Sequence, residues 1–329
     1  MPIIVRMKHR QLGKANFNVS EIGYGAWGIG GTMWIGASDK ESLAALERAI
    51  QLGVNFIDTA LVYGNGHSEE LVGRVIAGSS QKVYVATKVP PKNRIWPAPP
   101  GVGIEEAFPR DYIVRSTEES LNNLGLDVID LLQFHVWSPE WTGRDEWKRA
   151  FEDLKSQGKV RSFGISINNH QPDSALSIIE TGLIDAVQVI YNIFDQSPER
   201  NLFPACLKHN IGVLARVPLD EGALAGLIME NTVFPEGDFR SHYFRGDRKK
   251  QVVERVGALV RDLGLKDASQ LPAIAIRFCL SHPAVSTVIP GMRSIGSVEG
   301  NVMASGQGPL FASALEVLRE HAWDRDFYK

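Results

Sequence analysis

Two cysteines in 329 residues, Cys206 and Cys279, leave no material for a disulfide framework or a cysteine-based metal cluster. They read as buried thiols in a reducing compartment, which sets a cytoplasmic expectation. Long apolar runs are also missing. Only a four-residue apolar run precedes Arg6, too short for the core of a signal peptide. No stretch approaches the roughly 18 apolar residues of a membrane span, so no membrane partner is expected. The formal net charge is only −3, and no basic face is available to hold nucleic acid. Repeats, charge blocks and low-complexity linkers are lacking, which argues against an interaction scaffold. Together these absences predict one domain over residues 1–329.

What is present is an ordinary globular balance, 44% hydrophobic and 22% charged, enough for a large core. Short Val/Ile-rich runs recur at 22–25, 54–59, 83–88, 128–135, 162–167, 186–191, 212–217 and 287–290. They show little polar alternation, as expected of strands buried on both faces of a parallel sheet. Helical patterns fill the intervals: 39–52 with Asp39 as its N-cap, one opened by Ser68-Glu69-Glu70, 109–124, 144–157, one with Pro172 early, 198–209, 247–263 and 269–280. Strand followed by helix, eight times, predicts an α/β protein of the (β/α)8 TIM-barrel type rather than an open doubly wound sheet. The long connections 90–108 and 219–246 then become βα loops at the C-terminal face, where barrel chemistry sits. Residues 1–21 carry a hairpin that would plug the barrel bottom.

Gly23-Tyr-Gly25-Ala-Trp-Gly28 matches the dinucleotide fingerprint G-x-G-x-x-G. That fingerprint requires its glycines to open a helix directly, and here ten further residues intervene before Asp39. The segment reads instead as a flexible strand-to-helix loop whose backbone can approach a ligand closely.

Polar residues interrupt the ends of three consecutive strands: Asp58, Lys88 and His135, with Tyr63 five residues after Asp58. On a barrel all four lie near one point of the C-terminal rim. Buried Lys88 and Asp58 would each be costly alone, but from neighbouring strands they can pair. A tyrosine beside that lysine should have its phenol drawn from about 10 toward neutrality, able to donate a proton to a developing alkoxide. A histidine nearby can hold a carbonyl oxygen. The hydride for such a reduction must come from a cofactor. A different barrel enzyme using a metal would need clustered carboxylates and histidines, and only Asp58 and His135 qualify, so no metal is expected.

These residues resemble the aldo-keto reductase superfamily. Asp58-Thr-Ala, Tyr63-Gly, Ser68-Glu69 and Gly73 are similar to its signature, and Val85-Ala-Thr-Lys88 and Leu131-Leu-Gln-Phe-His135 complete the tetrad. The resemblance implies reduction of aldehydes and ketones to alcohols. Tyr63 would be the general acid/base, Lys88 would lower its pKa, Asp58 would partner Lys88, and His135 would orient the substrate. It implies NADPH, with NADH as the alternative, lying across the barrel mouth. Ala26, Trp27 and Asp58 would lie near the nicotinamide, and Ser166, Asn168 and Gln188 would hold its carboxamide. Arg216, Pro218 and Leu219 after the seventh strand, and Ile289, Gly291, Arg293, Ser297 and Asn301 after the eighth, would line the remainder. Arg293 and a helix N-terminus suit the 2′-phosphate. Departures stand out. Arg216 occupies the place of an aromatic that often stacks on the nicotinamide, Ile167 separates Ser166 from Asn168, and the adenine end reads Gly300-Asn301. An aromatic rim of Tyr24, Trp27, Trp34, Trp96 and Trp137 suits apolar or ring-shaped carbonyl compounds, with Trp27, Tyr63, Trp96, His135 and Trp137 as substrate contacts. A non-catalytic, cofactor-binding regulatory subunit of the same fold is the alternative. Oligomeric state is not legible.

Overall fold

The computed structural model describes residues 7–329. The eight candidate strands form one parallel barrel. A hairpin comes first, with β1 (His9–Gln11) antiparallel to β2 (Asn18–Ser20). The barrel follows as β3 (Tyr24–Gly25), β4 (Phe56–Asp58), β5 (Tyr84–Val89), β6 (Ile129–Phe134), β7 (Val160–Ser166), β8 (Ala186–Ile190), β9 (Gly212–Arg216) and β10 (Val285–Ile289). Each strand pairs in parallel with its successor. Parallel bridges Ile22–Val288 and Gly25–Gly291 close the ring between β3 and β10.

Two apolar clusters follow from the period-2 alternation of strand side chains. Inward residues Phe56, Tyr84, Ala86, Leu131, Ala186, Leu214 and Ile289 fill the barrel interior, and Leu12, Phe17 and Val19 of the hairpin pack onto them. Lys14 N donates to Asn210 O at 2.8 Å, seating the hairpin at the N-terminal end of β9. The hairpin expected from residues 1–21 therefore plugs the barrel bottom, the first six of those residues lying outside the described ones. Outward residues such as Ile57, Val85, Leu132 and Val187 pack under the helices. Ser38, not Asp39, caps helix Asp39–Gln51. Its hydroxyl accepts from Glu41 N, while Asp39 starts the helix and binds His67 Nε2 at 2.8 Å. Both cysteines are buried and free.

Two rim aromatics expected from sequence belong to the core instead. Tyr24 is fully buried on β3. Trp137 is fully buried among Phe134, Trp141 and Trp147, with ring centroids 5.8–6.3 Å apart. An indole three residues past the end of β6 fills the space between barrel and helix at an energetic gain that exposure on the rim would forfeit.

The connection after β9 is strained and pinned. Val217 (φ 57°), Asp220 (φ 51°) and Glu221 (φ 54°) adopt left-handed conformations, each costing on the order of 1 kcal/mol for residues other than glycine. The C-terminal segment holds them there. Arg325 pairs with Asp220 and donates to Tyr243 Oη at 3.0 Å, and Tyr328 Oη donates to Glu221 Oε1 at 2.6 Å. Burial pushes the Glu221 carboxyl up from 4.5 to about 7, against the lowering effect of Tyr328 and Arg216. Between those values the unfolded chain has lost the proton that the folded chain keeps, so stability falls as pH rises through that window and levels off above about 7. Glu221→Gln is expected to remove this slope. Urea midpoints measured from pH 4.5 to 8 should show the variant gaining on the wild type up to about pH 7 and holding a constant lead beyond it. Parallel curves across the range would contradict the buried, proton-retaining carboxyl.

Candidate active site

The same alternation that buries Ala86 and Leu131 in the barrel points the next inward residues at the C-terminal rim. These are Asp58 on β4, Lys88 on β5, Gln133 on β6, Ser166 on β7, Gln188 on β8 and Arg216 on β9. Lys88 is completely buried, and its ammonium has three partners: Asp58 Oδ2 at 2.7 Å, the carbonyl of Thr59 at 2.7 Å and Tyr63 Oη at 3.3 Å. All three donors of the lysine are thereby directed. Asp58 Oδ1 accepts from Gln188 Nε2 at 2.7 Å and from Gln133 Nε2 at 3.3 Å. Desolvation lowers the Lys88 pKa, but Asp58 and Tyr63 outweigh it and raise the net value, so the ammonium stays charged.

Tyr63 corrects the expectation of a phenol drawn toward neutrality. Burial raises its pKa, Lys88 lowers it, Asp58 raises it again, and the net direction is up. Depth of burial outweighs the lowering effect of the Lys88 ammonium, which the carboxylate 2.7 Å from it partly offsets. The phenol is a proton donor at neutral pH. His135 is held well below its ordinary range by burial, then by Lys88 and Arg216, and is a neutral imidazole. Its Nδ1 is buried without a hydrogen-bond partner. Its ring meets the Tyr63 ring edge-on with centroids 5.6 Å apart.

The Ser-Glu-Gly part of the sequence signature supports this geometry from behind. Ser68 Oγ donates to the carbonyl of Ala26 and exchanges a hydrogen bond with Thr59 Oγ1, each at 2.9 Å. Buried Glu69 accepts from Thr87 Oγ1 at 2.5 Å and from Asn123 Nδ2 at 2.9 Å, locking helix His67–Ala77 against β5 beside Lys88. Gly73 lets that helix meet the backbone of Leu124, where a Cβ would stand 2.3 Å from its carbonyl oxygen. The glycine-rich loop after β3 makes its close backbone approach to the tyrosine loop: a Cβ on Gly30 would lie 2.8 Å from the carbonyl carbon of Tyr63.

The cofactor-side expectations divide. Ser166 and Gln188 sit on the floor of the mouth, but the Gln188 amide nitrogen is committed to Asp58. Asn168 points elsewhere. Its amide exchanges hydrogen bonds with the backbone of Ala98 and donates to Gln171, in a cleft shared with Ser138, His170 and Arg200. Asn169 reaches the site in its place, accepting from Arg216 Nη2 at 2.7 Å. Ala26 is fully buried with its carbonyl taken by Ser68, so it positions Trp27 rather than offering ligand contact. Pro218 and Leu219 enter the strained connection, Ile289 is buried in the interior cluster, and Gly291 is exposed beside Gly25. Arg293 lies against Gly28, donates to the carbonyl of Ile35 at 3.1 Å and stacks over Trp34. Ser297 is spent in a capping box with Ser294, and Asn301 is buried inside helix Ile295–Gly306.

The mouth is walled by aromatics. Trp27 packs near Trp34, Tyr63 and Phe239 with centroids 5.4–6.2 Å away, and Trp96 meets His135 at 5.8 Å. Phe239, Gln133 and Asn169 were not expected from sequence. Gln133 had a readable signal, an amide at inward parity two residues before His135 in a strand whose other inward residue, Leu131, is apolar. Phe239 had none, since it arrives from the middle of a long connection.

Comparison with known proteins agrees with this geometry. The Aldo/keto reductase family profile matches residues 21–322. The aldo-keto reductase YhdN of Bacillus subtilis is 30% identical over 301 residues, covering 89% of this chain and 87% of that one. The NADH-specific methylglyoxal reductase of Escherichia coli is 28% identical over 310 residues, covering 91% and 93%. An aldo-keto reductase structure from Bacillus halodurans, in its holo form, aligns with a TM-score of 0.75 and 30% identity, covering 96% of this chain and 97% of that one. A profile spanning nearly the whole barrel, on a chain whose tetrad converges at the barrel rim, has one reading: this protein belongs to the aldo/keto reductase family.

Proposed function

We propose that the protein is an NAD(P)H-dependent carbonyl reductase in which Tyr63 supplies the proton. The observation that carries this is the Lys88 ammonium shared between Asp58, Thr59 O and the Tyr63 phenol, with the unpartnered Nδ1 of His135 across the same space. A reduced nicotinamide, when bound, supplies the hydride. The residues present fit such a group. Ser166 makes no side-chain hydrogen bond among the described residues, Arg216 Nε is buried without a partner, and Trp27 offers a flat wall beside Tyr63. A carbonyl oxygen placed between Tyr63 Oη and the neutral His135 ring receives two hydrogen bonds. As it gains negative charge, the phenol proton passes to it, and the adjacent Lys88 ammonium stabilises the phenolate left behind. Asp58, Gln133 and Gln188 keep the ammonium aimed. Arg293 beside the N-terminus of helix Ile295–Gly306 supports NADPH, with NADH the alternative. The Trp27, Trp34, Trp96 and Phe239 walls favour small apolar or ring-bearing aldehydes and ketones.

The test is tryptophan quenching by NADPH and by NADH, followed by loss of reduced-nicotinamide absorbance on adding a panel of aldehydes. Quenching with substrate-dependent oxidation supports the reductase. Quenching without oxidation across the panel favours a regulatory role. Tyr63→Phe should lower kcat by about 10²–10⁴-fold while leaving nucleotide affinity within about twofold; full activity would remove Tyr63 from its role. Gly30→Ala should lower kcat by roughly tenfold or more without touching substrate, because the new methyl displaces the backbone carrying Tyr63. The pH profile follows from the two shifts. His135 stays neutral down to well below 6.5 and Tyr63 stays protonated to above 10.0. Reduction measured as kcat/KM is therefore expected to be flat from about pH 6.5 to 10, and an acid limb near 6.5 would contradict a neutral, buried His135.

A further inference from the structure

Trp96 walls the mouth, yet its own segment does little to hold it there. Residues 95–100 read Ile-Trp-Pro-Ala-Pro-Pro, and Pro97, Pro99 and Pro100 have no backbone N–H to donate. The Trp96 ring is 42% exposed and meets the His135 ring at 5.8 Å, nearly perpendicular to it. The flanks of the segment are tied down. Lys92 N donates to the carbonyl of Ala107, and Trp141 Nε1 donates to the carbonyl of Val102, each at 2.8 Å. Within 95–100 itself, among the described residues, a single backbone makes hydrogen bonds to another segment. It is that of Ala98, and its partner is Asn168.

Asn168 serves both sides of the wall. Its Oδ1 accepts from Ala98 N at 3.4 Å and from Trp137 N at 3.5 Å, and its Nδ2 donates to Ala98 O at 3.3 Å and to Gln171 Oε1 at 3.2 Å. Ala98 stands two residues after Trp96, and Trp137 stands two residues after His135. One amide therefore bridges the two backbones that carry the facing rings. Its bonds are long, but Asn168, Ala98 and Trp137 are all buried, so water competes little for them. Both Nδ2 hydrogens are used and Oδ1 has two donors, so the amide is filled without a ligand. An alanine at 168 would leave the Ala98 N–H and carbonyl without partners, and the segment would shift to find others.

We propose that Asn168 is a positioning residue for substrate selection: it holds Trp96 against His135 and so fixes the wall on which ring-bearing carbonyl substrates rest, without touching the cofactor. This rests on the carbonyl-reductase reading above and deepens it. With the bridge in place, the indole stands at a set distance from the imidazole, and an aromatic aldehyde finds a flat face beside the group that receives its carbonyl oxygen. Without the bridge, residues 95–100 lose their one hold on a neighbouring loop and the indole drifts. A ring then loses its contact, whereas a short aliphatic aldehyde, which has no ring to rest on the indole, loses little. The His135 end is the steadier of the two, because its loop continues into the fully buried Trp137.

The experiment measures kcat and KM for aromatic and aliphatic aldehydes, benzaldehyde against propanal among them, in the wild type, Asn168→Ala, Trp96→Ala and the double variant. Thermal melts establish that each folds. In Asn168→Ala the KM for the aromatic substrate should rise about three- to tenfold, with kcat and the aliphatic KM within about twofold. Nucleotide dissociation constants from tryptophan quenching should stay within about twofold of the wild type. The double variant should be no worse than Trp96→Ala, since the bridge acts through the indole. Trypsin should cut the loop after exposed Lys92 or Arg94 faster in Asn168→Ala than in the wild type. Equal losses for both aldehyde classes, additive losses in the double variant, or weakened nucleotide binding overturn the proposal and leave the reductase reading intact. Should Asn168→Ala not fold, Asn168→Ser, too short to span Ala98 and Trp137, is judged by the same outcomes. A wild type that oxidises no reduced nucleotide with any aldehyde overturns the reductase reading, and this inference with it.

Discussion

A lysine with no solvent exposure, inside a barrel, can exist only where its charge is answered, and Lys88 is answered by Asp58 at 2.7 Å and by the Thr59 carbonyl at the same distance. Removing Asp58 would leave an ion stranded in apolar surroundings, a loss of about 3–5 kcal/mol. The rest of the mouth is arranged to prevent that. Adjacent strands β4 and β5 present both groups at inward parity. Gln133 and Gln188 fill the second oxygen of Asp58, and the Thr59 carbonyl is steadied by the Ser68 contact of the neighbouring hydroxyl. The third lysine donor then has one direction left, toward the Tyr63 phenol.

The periphery obeys the same logic at longer range. The tyrosine loop can hold Tyr63 over Lys88 because Gly30 lets two backbones touch. Arg216 can cross the end of β8 because Asn169 and the Ile167 carbonyl receive it. The turn that follows Arg216 is strained at Val217, Asp220 and Glu221, and it is stable because Arg325 and Tyr328 arrive from the far end of the chain to occupy both carboxylates. Residues more than a hundred positions apart thus determine where one guanidinium lies.

The barrel and the tetrad were legible because both rest on local regularities. Val/Ile runs buried on both faces mark the strands, and a charged residue closing such a run marks the rim. What was not legible depends on where side chains go once strands are adjacent. Trp137 and Tyr24 looked like rim aromatics from their positions after or at a strand end, but packing volume drew them into the core. Asn168 and Asn169 are indistinguishable as letters, and only the path of the chain beyond β7 decides that Asn169 meets Arg216 while Asn168 binds Ala98. The direction of the Tyr63 shift was misjudged for a related reason. The sequence displays the lysine beside the tyrosine, whereas the depth of burial and the closeness of Asp58 belong to the folded chain. Ser38 displaced Asp39 as helix cap by a single position, an ordinary margin at helix ends.

The choice between an enzyme and a non-catalytic nucleotide holder turns on what the buried charges accomplish. Replacing a buried ion pair by apolar residues of similar size is commonly neutral or stabilising, by about 1–4 kcal/mol. In a protein that only held a nucleotide, Lys88 and Asp58, with two glutamine amides serving the carboxylate, would bring no gain in stability over such a replacement. The pair has one outlet in the structure, the Tyr63 oxygen, 3.3 Å from the ammonium. Burial, with Asp58 offsetting part of the Lys88 field, explains why the phenol remains protonated. A fully exposed lysine charge would strip the proton in advance, whereas a compensated one leaves it in place and acts when negative charge develops on the phenol during transfer. The ion pair that the barrel works to keep is thus the arrangement a proton-donating tyrosine requires, and it has no comparable use in a protein that never moves a proton.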